Sequence, residues 1–216
     1  MVVLYGINLS TFTRKVRLAL AEKGIGYRLE PAAMGSPKVR ALHPLGKIPV
    51  IEHDGTVVPD SSVIIAYLEK AFPDSAPLYP AAAPELARAL WLEEYADTRL
   101  REATVPFFAE RVVKPLFQRK PGDETALATA ATACSECFDY LERELAGRFA
   151  LGDALTVADV ALGAQLVTYQ QGGGQVDPDR WPRLHGYMAG LRERTAWAEL
   201  IAEENAALAA ARARAG

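Results

Sequence analysis

Val2-Val3-Leu4-Tyr5 is an unbroken apolar run closed by Gly6, the pattern of a short strand buried on both faces. Thr13 to Lys23 carries apolar side chains at Val16, Leu18, Ala19 and Leu20 and stops at Gly24. That spacing predicts a helix with a glycine just past its end. Gly26 to Glu30 reads as a second strand. Ile48 to Ile51 and Val57-Val58 flank His53-Asp54-Gly55, whose Asp-Gly pair predicts a hairpin turn. Ser61 to Ala71 places Val63, Ile64, Ile65, Tyr67 and Leu68 at the spacing of a largely buried helix. The order is β-α-β, a variable segment, then β-β-α.

Beyond Pro84 every patterned stretch is helical. Pro84 suits the first turn of a helix running through Glu85 to Ala103. Pro106 is expected to kink or break the helical path beyond it. Thr125 to Leu145 is a second long helix. Thr156-Val157-Ala158-Asp159 opens a third with a capping box in which Asp replaces the usual Glu, and Leu155 and Val160 sit at staple positions. Gly172-Gly173-Gly174 ends it, and Trp181 to Arg194 and Ala196 to Arg214 complete the set. Between the two kinds of pattern lies Pro73 to Pro84, with four prolines in twelve residues. We place the domain boundary there, giving an α/β domain at 1–76 and an all-α domain at 85–216.

Composition narrows the function classes. Half of the 216 residues are hydrophobic and 24% are charged, ordinary values for a chain with a packed core. No apolar run reaches the length of a membrane span, so no membrane partner is expected. The net charge of −3 gives no electrostatic case for nucleic acid. Residues 1–76 carry nine basic and seven acidic side chains, and residues 77–216 carry fifteen and twenty, so the halves are oppositely charged. The start of the chain has neither the basic nor the apolar part of a signal peptide, which points to the cytoplasm. Cys134 and Cys137 form a C-x-x-C in mid-helix, where two small buried side chains are expected rather than a redox pair. His43, His53 and His185 have no metal-ligand spacing, so no metal is expected.

Candidate chemistry gathers in three places. The segment from Gly6 to Val16 joins the first strand to the first helix and holds Ser10, Thr11 and Thr13. One of these hydroxyls must cap the helix, and one can face an anion held by the helix dipole. Ile48-Pro49 enters a strand, where proline is confined to special positions that include a cis bond. Asp60-Ser61-Ser62 precedes the next helix and is either a cap or a second site for charged ligand groups.

Four stretches together, Leu4 to Gly24, His43 to Gly55, Pro59 to Pro73 and Leu155 to Leu162, resemble the cytosolic glutathione S-transferases, in particular serine-dependent members of the phi-like or bacterial kind. The resemblance implies an α/β thioredoxin-like N-terminal domain followed by an all-α helical C-terminal domain. It further implies a homodimer, and glutathione as a co-substrate rather than a cofactor. Activity would be thiolate attack on a small hydrophobic electrophile. Glutathione-dependent isomerisation, dehalogenation or peroxide reduction, or a non-catalytic ligand-binding role, are the alternatives. Carried over by position, Ser10 would donate to the glutathione sulfur, with Thr11 as the alternative donor. Lys47 would lie near the glycyl end. Ile48, ahead of a cis Pro49, would pair its backbone with the cysteinyl part. Asp60 and Ser61 would hold the γ-glutamyl group. Leu9, Phe12, Phe107 and Arg111 are the acceptor-site candidates. Tyr5 is given a sheet role, Asp159 a structural one, and His43 stands where the family has a structural Asn. An unperturbed thiol has a pKa of about 8.5, and lowering it two units takes about 2.7 kcal/mol. One hydrogen bond to the anion supplies roughly 1.5–3 kcal/mol and a helix dipole about 0.3–1 kcal/mol more.

Overall fold

In the computed structural model, which describes residues 1–215, the first apolar run becomes β1 (Val2–Gly6), an inner strand of a four-stranded sheet. It pairs in parallel with β2 (Tyr27–Pro31) and antiparallel with β3 (Val50–His53), which pairs antiparallel with β4 (Thr56–Pro59). The chain divides into two compact units, Met1–Tyr79 and a second beginning at Pro80. In the first, side chains alternate across the sheet as pleating requires. Val2, Leu4, Ile51 and Val58 pack with Val16 and Leu20 of α1 (Thr11–Glu22) and Ile64 and Leu68 of α3 (Ser61–Ala71). Tyr5 and Val50 point to the other face and pack with Val39 of α2 (Pro37–Leu42).

The turn chemistry accounts for the connections. Gly24 sits at φ +67° and the Gly24 and Ile25 N–H groups donate to Ala21 and Leu20, which closes α1 with a Schellman motif. Asp54 and Gly55 both have positive φ, as the two central residues of a tight hairpin between β3 and β4 must. The variable segment turns out to hold α2, capped by the Ser36 hydroxyl, which accepts from the Val39 N–H. Its six residues are too few to show a 3.6-residue repeat in sequence.

The second unit is helical: a small mixed α/β unit is followed by an all-α one, the thioredoxin-like arrangement that the sequence resemblance implies. α4 (Ala83–Tyr95) and α5 (Arg101–Phe108) lie on one unbroken path, joined by π-helical turns at Ala96–Leu100 and extended by others at Ala109–Gln118. The expected break at Pro106 does not occur. Pro106 lies inside α5, and wider turns on both sides give the ring and the missing N–H room without ending the helix. α6 (Glu124–Glu144), α7 (Val157–Gln171), α8 (Pro182–Arg192) and α9 (Thr195–Ala215) complete the unit. α7 is buried from Val157 to Tyr169. Gly163 lets it approach Trp197, since a Cβ there would overlap the indole. Cys134 and Cys137 are buried on α6, and burial pushes the Cys134 thiol up to about 12, so the pair is inert. Among the described residues no helix is long and apolar enough to cross a membrane.

Asp159 holds the start of α7. It is fully buried and accepts from the N–H groups of Ala150 (2.7 Å) and Thr156 (2.8 Å), the Thr156 hydroxyl (3.2 Å) and the Tyr187 hydroxyl (3.1 Å). Burial pushes its carboxyl up against the pull of these donors, and pushes the Tyr187 hydroxyl well up too. Asp159→Ala strands several buried donors, each costing about 1–3 kcal/mol. We expect a loss of about 3 kcal/mol or more by denaturant unfolding; a loss below about 1 kcal/mol would show that the donors find other partners.

Candidate functional site

One row of the sheet sets the geometry. Tyr5 pairs with Val50, and Val50 with Pro59. Because β3 runs against β1 and β4, the end of β1, the start of β3 and the end of β4 lie side by side along one edge. The chain therefore delivers three segments to that edge: the loop after Gly6 with the start of α1, the residues Lys47, Ile48 and Pro49, and Asp60-Ser61 at the start of α3. The Ile48–Pro49 peptide is cis, and Ile48 lies two residues before the first paired residue of β3. These are the three segments that the sequence marked as chemically promising, and the topology makes them neighbours. The N-termini of α1 and α3 both open at this edge, and their partial positive charges favour an anion.

The cap of α1 falls on Ser10. Its Oγ accepts from the Thr13 N–H at 3.3 Å. A hydroxyl has two lone pairs and one hydrogen, so capping uses a lone pair and leaves the O–H free to donate. Cap and thiol donor are thus not competing readings of Ser10. Thr11 is the first residue of the helix, and Thr13 is fully buried against Gly6, where an added Cβ would strike the Thr13 side chain. Gly6 is thus required by the close approach of loop and helix.

Asp60 caps α3, accepting from the N–H groups of Ser62 (3.0 Å) and Val63 (3.4 Å), and has φ +71°. A non-glycine residue in that region is strained, and such strain concentrates where ligands are held. Asp60 is exposed and Ser61 buried behind it. Lys15, one turn into α1, reaches across and donates to the Ser62 hydroxyl at 2.8 Å, tying the starts of the two helices together.

The remaining candidates differ in exposure and partners. Lys47 is exposed, and Ile48, Leu9 and Phe12 are half-buried. His43 does the work of the absent Asn, since its Nδ1 accepts from the Leu45 N–H at 3.0 Å. Tyr5 is buried on the α2 face and donates to Glu52 at 3.0 Å, so its hydroxyl is spent in the sheet. In the second unit Phe107 is buried edge-on against Tyr169, with rings 4.7 Å apart. Arg111 stacks over Phe107 and donates to the Gly173 carbonyl at 3.3 Å, capping the end of α7.

Family models for the glutathione S-transferase N-terminal domain and C-terminal domain match residues 4–76 and 124–190. Glutathione S-transferase 1 of Dianthus caryophyllus is 31% identical over 84% of this chain and 82% of its own length. The chain belongs to the glutathione S-transferase family. A maleylacetoacetate isomerase of Dictyostelium discoideum is 29% identical over 84% of each chain. A solved glutathione S-transferase of Rhodospirillum rubrum F11 superposes with a TM-score of 0.83 at 27% identity, covering 93% of this chain and 91% of that one.

For a glutathione S-transferase, the residue that sequence reasoning passed over is Lys15; Thr13 was considered only as one of three possible caps. A basic residue near a helix start opposes the dipole, and α1 has Arg14, Lys15 and Arg17 there with no acid in its first turn. That mismatch was the available signal that these side chains have work to do other than facing water. The Gly6–Thr13 contact can be tested directly. Gly6→Ala should cost about 1–3 kcal/mol by overpacking, and Thr13→Ala in the same chain should recover about half or more of that loss. Additive losses in thermal or denaturant unfolding would remove this contact as the reason for Gly6.

Proposed function

We propose that this glutathione transferase binds glutathione along the edge formed by Lys47, Ile48, Pro49, Asp60 and Ser61 and lowers the pKa of its thiol through Ser10. The observation that carries this reading is the Ser10 hydroxyl, held as the cap of α1 with its hydrogen still to donate. The start of α1 adds its dipole in the same place, and together these meet the roughly 2.7 kcal/mol that a two-unit shift requires. The thiolate then attacks a small hydrophobic electrophile against Leu9 and Phe12. Asp60 is placed for the γ-glutamyl ammonium, Ser61 for its carboxylate, and Lys47 for the glycyl carboxylate. Thr11, at the next position, is the alternative donor. We place the protein in the cytoplasm, where glutathione is abundant and its thiol stays reduced.

A second reading is supported by the similarity to a maleylacetoacetate isomerase at 29% identity, close to the 31% of the transferase relative. A thiolate that adds to a conjugated double bond and departs after rotation isomerises the bond and returns glutathione. Consumption of glutathione during turnover separates the two.

The pH–rate profile of Ser10 variants tests the thiol donor. Ser10→Ala should lose about ten- to a hundredfold in rate at neutral pH, shrinking as pH rises toward the free thiol pKa of about 8.5. It also loses a helix cap, which costs about 1 kcal/mol of stability. Ser10→Asp separates the effects, because a carboxylate caps the helix well but repels a thiolate. It should keep stability and lose rate. A fully active Ser10→Asp variant, or a crippled Thr11→Ala variant beside an active Ser10→Ala one, would move the role away from Ser10.

We also propose a homodimer. Val63 on α3 is 54% exposed, and on α4 Leu90 and Trp91 are 44% and 49% exposed, a costly way to leave apolar surface. Light scattering at micromolar concentration should give twice the 23.4 kDa chain mass, and Val63→Glu with Trp91→Glu should give the chain mass. A monomeric native chain would refute the dimer.

A further inference from the structure

In the second unit, the end of α6, the turn at 145–148 and one face of α8 line a groove of about 680 Å³. That size lies within the range of small-molecule sites. Three arginines are among the residues that line it: Arg143, Arg148 and Arg183. All three are exposed, and none is ion-paired among the described residues. The one carboxylate in the lining, Glu144, is taken by Arg88. The nearby Glu142 accepts the Arg183 and Leu184 N–H groups at 2.9 Å each, so both of its oxygens are engaged at the start of α8.

Arg143 alone has an ordinary explanation, since a cation in the last turn of α6 complements the dipole. Arg183 has none. It lies in the first turn of α8, where a cation opposes the dipole, and among the described residues its side chain has no ion pair. Arg148 is set in place by a tight turn. The Phe149 N–H donates to Gly152 at 2.7 Å, Ala150 is held by Asp159, and the Arg148 guanidinium lies 5.3 Å from the Phe149 ring. Cation–π contact leaves its N–H fork unspent. Gly186 on α8 is part of the lining, and an added Cβ there would meet nothing within 4 Å.

We propose that this groove is a binding site for a compact small molecule carrying two or more negative charges. Three like charges held around one cavity repel one another, and an anion that accepts bidentate hydrogen bonds from several guanidiniums relieves that repulsion. Phosphorylated and polycarboxylate metabolites share this chemistry. In a chain of net charge −3 the groove is a local exception, which makes charge steering to it specific rather than general.

The test is isothermal titration of the full chain at low salt with inorganic pyrophosphate in one arm and citrate in the other. Binding of either with a Kd below about 1 mM supports the site, and the tighter arm says whether phosphate or carboxylate is preferred. Arg148→Ala with Arg183→Ala should weaken it by about tenfold or more. Gly186→Glu is the second variant. It improves helix propensity and meets no neighbour, so the fold stays intact, yet it sets a carboxylate among the arginines and should abolish binding. Neither substitution should alter glutathione affinity. No heat from either probe at about 5 mM, or binding that survives Gly186→Glu, would overturn the proposal.

Discussion

The pairing of Tyr5 with Val50 and of Val50 with Pro59 is the constraint on which the first unit's polar edge depends. None of its energy comes from that edge. Register is held by Val2, Leu4, Ile51 and Val58, which must all face α1 and α3. A slip of one residue would turn every one of them to the wrong face. Burying a side chain of this kind is worth roughly 1.5–3 kcal/mol, so the slipped register is heavily penalised. The hydrophobic effect thereby fixes, to within a fraction of a residue, where the chain leaves β1, enters β3 and leaves β4. The polar residues at those three points inherit their proximity from the apolar core.

That edge is then tuned by short contacts. Thr13 packed on Gly6 sets the approach of α1 to its strand. Lys15 bonded to Ser62 sets the start of α3 against the start of α1. Asp60, at a strained φ, takes two N–H groups of α3 on one carboxylate oxygen. Each of these settles the position of a helix terminus, and helix termini carry the field that an anionic ligand feels.

Most of this fold could be read in the sequence because the signals were local. Asp54-Gly55 announced its hairpin and Gly24 its helix end because both need positive φ, which few residues supply. The Thr156–Asp159 box was legible because capping is a matter of three-residue spacing. What stayed hidden was non-local or too short. α2 has fewer than two turns, so no periodicity betrays it. Pro106 was read by its intrinsic cost, and tertiary packing with π-helical turns on either side absorbed that cost. Lys15 drew no reading from the sequence because its partner Ser62 lies 47 residues away. Among the site candidates, the residues at the sheet edge are neighbours because β3 runs antiparallel to both β1 and β4. Phe107 and Arg111 were carried over from the resemblance, which says which helix holds them and not what each side chain faces.

Hydrogen-bonding capacity separates structural from chemical polar groups here more sharply than motif position does. Asp159 and Ser10 both lie in stretches that carry the family resemblance, and both begin helices. Asp159 is sealed from solvent and takes four donors, so nothing remains with which to meet a substrate. Ser10 is only partly covered, spends one lone pair on the Thr13 N–H and keeps its hydrogen. Tyr5 has given its hydrogen to Glu52 inside the sheet. A thiolate needs a donor that is fixed in place yet not fully used, because a free side chain pays entropy to bind and a satisfied one has nothing to offer. Among Tyr5, Ser10 and Asp159, Ser10 alone meets both conditions, and it meets them because the same atom that caps the helix is bonded to a hydrogen the cap does not require.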